Sequence, residues 1–226
     1  STGSINTTAG FSIIKYTGTG SNATVGHGLG AVPKMIIVKK LSGADSWTIY
    51  HASLGATKKI NFDTGAEGTQ SDRWNDTSPT SSLFTVGTNG SVNASSGTYI
   101  AYCFAEKQGY SKFSSYEGNG NADGTFIYTG FKPAWLMIKR AVGGSDRWVI
   151  IDNKRNSFNV SNTGLYADDA QVENSTTSEQ GLDILSNGFK IRNSNTKTNT
   201  SGAKYIYMAF AKAPLVGTNN VPCTAK

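Results

Sequence analysis

The chain is short of charge, cysteine and histidine, and it has no long apolar run. Charged residues make up only 16% of 226, and with so much Gly, Ser, Thr and Asn the mixture suits neither long helices nor a highly charged disordered tail. There are two cysteines, Cys103 and Cys223, with no CxxC spacing and no Cys/His cluster. That excludes the common zinc modules. Cys103 lies inside the apolar run YIAYCFAE, which predicts a small buried residue, with a Cys103–Cys223 disulfide as the alternative. No stretch of 18 apolar residues exists, so no membrane-spanning helix and no membrane insertion is expected. No GxSxG or Cys/His pairing recommends nucleophilic catalysis. No pair of carboxylates announces a glycosidase. The expectation is a protein that is not an enzyme and needs no cofactor.

The net charge of +6 invites an anionic partner, but the basic residues are dispersed singly or in pairs such as Lys39-Lys40 and Lys139-Arg140. No run reaches the density of a nucleic-acid-binding tract, so nucleic acid is not an expected partner.

What is abundant is repetition. Tyr16, Gly18, Gly20 and Pro33 recur 100 positions later as Tyr116, Gly118, Gly120 and Pro133. The run MIIVKK recurs as WLMIKR, DSWTIYH as DRWVIID, and TYIAYCFAE as KYIYMAFAK. This ordered recurrence predicts two related halves, residues 10–108 and 109–214, flanked by a linker over 1–9 and a tail over 215–226. The polar opening STGSINTTAG, with no initiator Met, reads as a processed chain or a piece of a longer polypeptide.

Each half reads as roughly six or seven short strands with turn signals every eight to twelve residues, the pattern of a sandwich. KMIIVKKL and AWLMIKRA are continuous apolar runs of strand length, expected at the centre of a sheet. SWTIYHA and RWVIIDN should form hairpins with them, and SLFTVG and GFKIRN should form hairpins with the last strand of each half. The predicted fold is all-β: two tandem antiparallel β-sandwich halves, jelly-roll-like and related by a pseudo-twofold. One larger sandwich of about fourteen strands is the alternative.

The glycines of GTGSNATVGHGLG resemble a phosphate cradle only superficially. No GK[ST] follows and the segment runs into Pro33 and a strand, not a helix, so turns are expected instead. His27 lies in that stretch and His51 ends the Trp47 strand. Neither has a histidine in the second half, where Tyr128 or Thr129 and Asp152 stand. Asp45 and Asp146 occupy matched positions two residues before a Trp, which suggests turn hydrogen bonds. The segments 62–80 and 153–181 differ most between halves and are the places to look for specificity. Within them Trp74, with its neighbour Arg73, is the leading candidate for an exposed ligand contact. Phe158 and Tyr166 follow in the second half. Trp47, Trp135 and Trp148 fall in predicted strands and are expected in the core.

The phrases GHGLG, AYCFAE, GYSKF and GFKPAW, in the order found between about Thr8 and Pro214, resemble a domain recurrent in tail-fibre and other virion structural proteins of marine phages, including cyanophages. The resemblance implies a protein on the virion surface, outside the capsid or tail and extracellular. It implies other virion proteins as partners, a homo-oligomer with a trimer favoured, and host-surface glycan or protein as the possible receptor. It carries no catalytic residues. The alternative it leaves is a purely structural decoration, collar or shaft component with no host ligand. A polysaccharide depolymerase is a third, weaker reading.

Overall fold

The computed structural model describes residues 1–173 and 177–212, with only the backbone of Thr177. The predicted tail over 215–226 and any pairing of Cys223 lie outside the described residues. The chain divides into two compact units. The first is Ser1–Phe62 with Glu67–Glu106; the second is Asp63–Ala66 with the described residues from Lys107 on.

The first unit contains β1 (Thr2–Asn6), β2 (Phe11–Thr17), β3 (Ala23–Gly26), β4 (Pro33–Lys40), β5 (Thr48–His51), β6 (Lys58–Asn61), β7 (Gly68–Thr69), β8 (Leu83–Val86) and β9 (Thr98–Ala105). Two helical turns, α1 (Ser71–Trp74) and α2 (Gly90–Asn93), interrupt them. The second unit contains β10 (Ser111–Glu117), β11 (Phe126–Tyr128), β12 (Pro133–Arg140), β13 (Val149–Asp152), β14 (Gly164–Tyr166), β15 (Leu182–Leu185), β16 (Gly188–Ile191) and β17 (Lys204–Ala211), with α3 (Thr177–Gln180) and α4 (Thr196–Asn199).

Every sheet draws its strands from one unit. The first unit has a large sheet ordered β1-β2-β9-β4-β5-β6-β7 and a small one, β3-β8. The second has β10-β17-β12-β13-β14 and β11-β16-β15. All pairings are antiparallel. Each unit therefore has a two-sheet sandwich plan, and the single fourteen-stranded alternative does not apply. The run β2-β9-β4-β5-β6 has the same order as β10-β17-β12-β13-β14. Matched registers accompany it: Tyr16 opposes Tyr99 as Tyr116 opposes Tyr205.

The physical reason for the sandwich is visible strand by strand. β9 alternates half-buried and buried residues, so Tyr99, Ala101, Cys103 and Ala105 all point into the core. The small sheet covers them with Val25, Phe84 and Val86. In the second unit Tyr205, Tyr207 and Ala209 meet Ile127, Phe189 and Ile191 in the same way. β4 lies between β9 and β5, and Met35, Ile36, Ile37 and Val38 are all buried, as its unbroken apolar run requires.

Two expectations are corrected. Residues 1–9 are not a bare linker: Thr2–Asn6 pairs with β2 over five residues and forms the edge of the large sheet. The alternation SIN is too short and polar to announce this, and all five residues are exposed. Second, β8 and β9 are not a hairpin, nor are β16 and β17; the partners lie in different sheets. The Asn-rich link between them is a crossing. Asn89 caps α2 by accepting from Ser91 N, and Asn195 caps α4 by accepting from Lys197 N. Each capped turn carries the chain from the small sheet to the large one.

Candidate functional site

The glycine-rich loops are closed by the protein itself. Gly18 N donates to Gly97 O at 2.7 Å, Thr19 N to Asn93 Oδ1 at 2.8 Å and Gly20 N to Asn93 O at 2.9 Å. The second unit repeats this with Gly118 N to Ala203 O, Asn119 N to Asn199 Oδ1 and Gly120 N to Asn199 O. Asn93 and Asn199 are buried, and their amide groups also donate to loop carbonyls. The amides that would gather a phosphate are thus spent within the protein, two of the three in each loop on one buried asparagine. Gly18 and Gly118 are required by proximity: a Cβ there would stand 2.3 Å from the carbonyl oxygens of Ala94 and Thr200.

The histidine and aspartate candidates are also built into the scaffold. His27 is buried, with Nδ1 accepting from Leu29 N at 3.2 Å and Nε2 at 3.1 Å from Thr80 O. A ring that accepts at Nδ1 and donates at Nε2 is neutral, and burial pushes its pKa below the usual value. Asp45 Oδ1 accepts from Ser91 Oγ at 2.6 Å, and Asp146 Oδ1 from Thr196 Oγ1 at 3.0 Å. Each aspartate ties the β4–β5 or β12–β13 turn to the helical crossing. Beneath these turns Lys39 and Lys139 donate to the carbonyls of Asp45 and Asp146, with their ammonium groups 5.9 and 6.0 Å from the rings of Trp47 and Trp148.

Of the candidate contact residues, three are not surface contacts. Trp74 is only 1% exposed and packs edge-on to Tyr50 at 5.9 Å. Arg73 is buried beside it, its Nε donating to Gln70 Oε1 at 3.0 Å and its NH1 to Asn89 Oδ1. Tyr166 is buried in β14, where Lys197 lies 5.0 Å from its ring and donates to its hydroxyl at 2.8 Å. The segment around Trp74 is not an open loop: α1 folds the indole inward. Among the predicted strand tryptophans, Trp148 is 1% exposed but Trp47 is 37% exposed.

Phe158 differs from all of these, with 85% of its surface in solvent. It stands in the loop after β13, at the lip of a cleft of about 240 Å³ in the second unit. The cleft is lined by Asn153, Asn156, Ser157 and Asn159, by the exposed Lys132 and Lys212, and by Ser161 and Ile184. The loop is held from within. Asn156 Oδ1 accepts from Asn162 N at 3.1 Å and Thr163 N at 2.8 Å. The Asn159 amide brackets Ile184, donating to its carbonyl at 3.1 Å and accepting from its N–H at 2.9 Å. Asp152 anchors the start of the loop by accepting from Lys154 N and Arg155 N. A fixed loop thus presents an aromatic face beside side-chain amides and a hydroxyl.

The sequence reading reached Phe158 and the segment that holds Asn153, Asn156 and Asn159, but it missed Lys132 and Lys212, which come from two further stretches. It also passed over Phe126 and Tyr128, 45% and 64% exposed on the outer face of β11. The alternation FIY, with Ile127 buried between them, is the signal that reveals them.

Among the described residues there is no group of three or more His, Cys, Asp or Glu able to hold a metal ion. Comparison with curated proteins found no match, and neither did comparison with solved structures. A family model matches residues 1–214, and by it the chain belongs to the family described as a domain of unknown function, DUF7483.

Proposed function

We propose that this chain is a virion surface protein, part of a tail fibre or adhesin, whose second unit binds host-surface glycan through the cleft beside Phe158. The observation that carries the reading is that large exposed aromatic at the lip of a pocket rich in amide and hydroxyl groups. A pyranose ring has apolar C–H faces and a polar hydroxyl rim. An aromatic side chain accommodates the first and asparagine side chains the second. Weak contacts of this kind gain strength when a homotrimer presents several copies, and the reading therefore includes an oligomer. Glycan-array binding and host-cell adsorption test it together. Phe158→Ala should reduce both, and adsorption equal to that of the unaltered protein would sink the proposal.

One observation favours a second reading, a structural component without a host ligand. β1 is an edge strand without a charged residue or proline, and such edges pair readily with other strands. Locating the protein on the particle by electron microscopy separates the two: a position at a buried joint supports assembly, a distal tip supports adhesion.

A further inference from the structure

We infer that the cleft of the second unit takes an acidic saccharide, with Lys132 and Lys212 together gripping a carboxylate or sulfate group on the sugar; this rests on the glycan reading above. The starting point is the register. Pro133 opposes Ala211, and Lys212 N donates to Lys132 O at 2.9 Å, so the two lysines face one another across the β12–β17 ladder. Directly opposed residues on antiparallel strands hold their Cβ atoms roughly 5 Å apart, and like charges there are unfavourable. Both lysines are exposed and neither is in a salt bridge with a described residue.

The scaffold does not demand this pairing. In the first unit Pro33 opposes Ala105, which places Val32 and Glu106 at the equivalent positions. The same fold position therefore holds an apolar residue and an acid in one unit and two ammonium groups in the other. Among the described residues no carboxylate lines the cleft to neutralise them. Asp152, which anchors the start of the loop, is occupied by Arg155 at 2.8 Å. An anion seated between the lysines relieves their repulsion and receives charge-assisted hydrogen bonds. Asn153, whose side chain has no hydrogen bond among the described residues, is placed to meet the neighbouring hydroxyls, with Phe158 against the ring.

The experiment uses the whole chain and three probes: galacturonic-acid oligomers, the same oligomers fully methyl-esterified, and a sulfated galactan. Binding is followed by calorimetry and by amide shifts of cleft residues. The acid oligomers or the sulfated galactan should bind roughly tenfold more tightly than the ester, and more weakly as salt rises. The two acidic arms distinguish carboxylate from sulfate. Lys132→Gln with Lys212→Gln should abolish the preference while leaving the melting temperature unchanged or raised, since a like-charge pair is removed. Binding of both acidic probes no tighter than the ester, or a preference that survives the double substitution, would overturn the inference while leaving the glycan site standing. A panel of neutral and acidic glycans of which none shifts the cleft amides would overturn the glycan reading itself.

Discussion

The Nε2 of His27 lies 3.1 Å from the carbonyl oxygen of Thr80, and this contact fixes the ring as a neutral donor because Nδ1 already accepts from Leu29 N. Folding therefore lowers the pKa of the group, through burial, against a smaller opposing pull from Thr80. The unfolded chain binds a proton near pH 6.5 that the folded chain refuses. Stability contributed by this site is present above about pH 6.5 and is lost as the pH falls toward the depressed folded value. Melting temperature should drop between pH 7 and pH 5, and His27→Gln should flatten that slope. Removing the ring entirely, as His27→Ala, leaves the Leu29 N–H without its acceptor at a cost of about 1–3 kcal/mol.

Lys139 predicts the opposite end of the pH scale. Its side chain is fully buried, and burial pushes its pKa down to about 8 despite the attraction of Asp168, Asp63 and Asp146. A folded pKa below the unfolded one means that the unfolded chain holds the extra proton between those values. Stability should therefore rise as pH goes from about 8 towards 9.5, before tyrosines titrate. Calorimetric scans across that window check it. Lys139→Met should remove the rise.

Trp74 and Phe158 were candidates of the same kind in the sequence, and they should now behave oppositely. Trp74→Ala empties a core position against Tyr50 and should cost about 3–5 kcal/mol. Trp74→Phe should cost less, because the buried indole N–H has no acceptor among the described residues. Phe158→Ala should change stability by no more than about 0.5 kcal/mol while weakening glycan binding. Denaturant melts paired with binding measurements resolve the two.

That contrast shows where the sequence was legible. Long apolar runs such as that of β4, the aromatic alternation of β9 and the recurrence of whole phrases point to sandwiches without any coordinates, because burial on one or both faces writes itself into periodicity. Loops have no period. SDRWNDTSPT and NKRNSFNV are equally polar, and nothing local says that α1 turns one aromatic inward while the Asn156 and Asn159 bonds turn the other outward. Tyr166 failed for a related reason: in Gly-Leu-Tyr the buried positions are Gly164 and Tyr166 while Leu165 is only half-buried, so the apolar pattern does not mark the inward face. The lysine pair was hidden more deeply, since Lys132 and Lys212 are 80 residues apart in the chain and are joined only by the register of β12 with β17.

The glycine loops yield a last paired test. Asn93→Ala and Asn199→Ala each remove three side-chain hydrogen bonds to backbone groups. Each should destabilise its unit by about 2 kcal/mol or more. Amide hydrogen exchange at residues 18–20 or 118–120 should accelerate in the corresponding variant, and exchange rates unchanged at those positions would mean that the asparagines do not hold the loops.

The position of the first strand has a mechanical consequence. β1 is bound to one neighbour through five residue pairs, while β17 lies between β10 and β12 with seven pairs on each side. Tension reaching the domain at Ser1 meets a single short ladder; tension reaching it at Lys212 meets two longer ones. We expect a chain held at those two points to yield first at β1, as a small early extension in a force trace, with both sandwiches intact behind it. A trace whose first event was the loss of a whole unit would contradict this. Under load, the polar strand that opens the chain would then serve as a release, giving way before the sandwiches do.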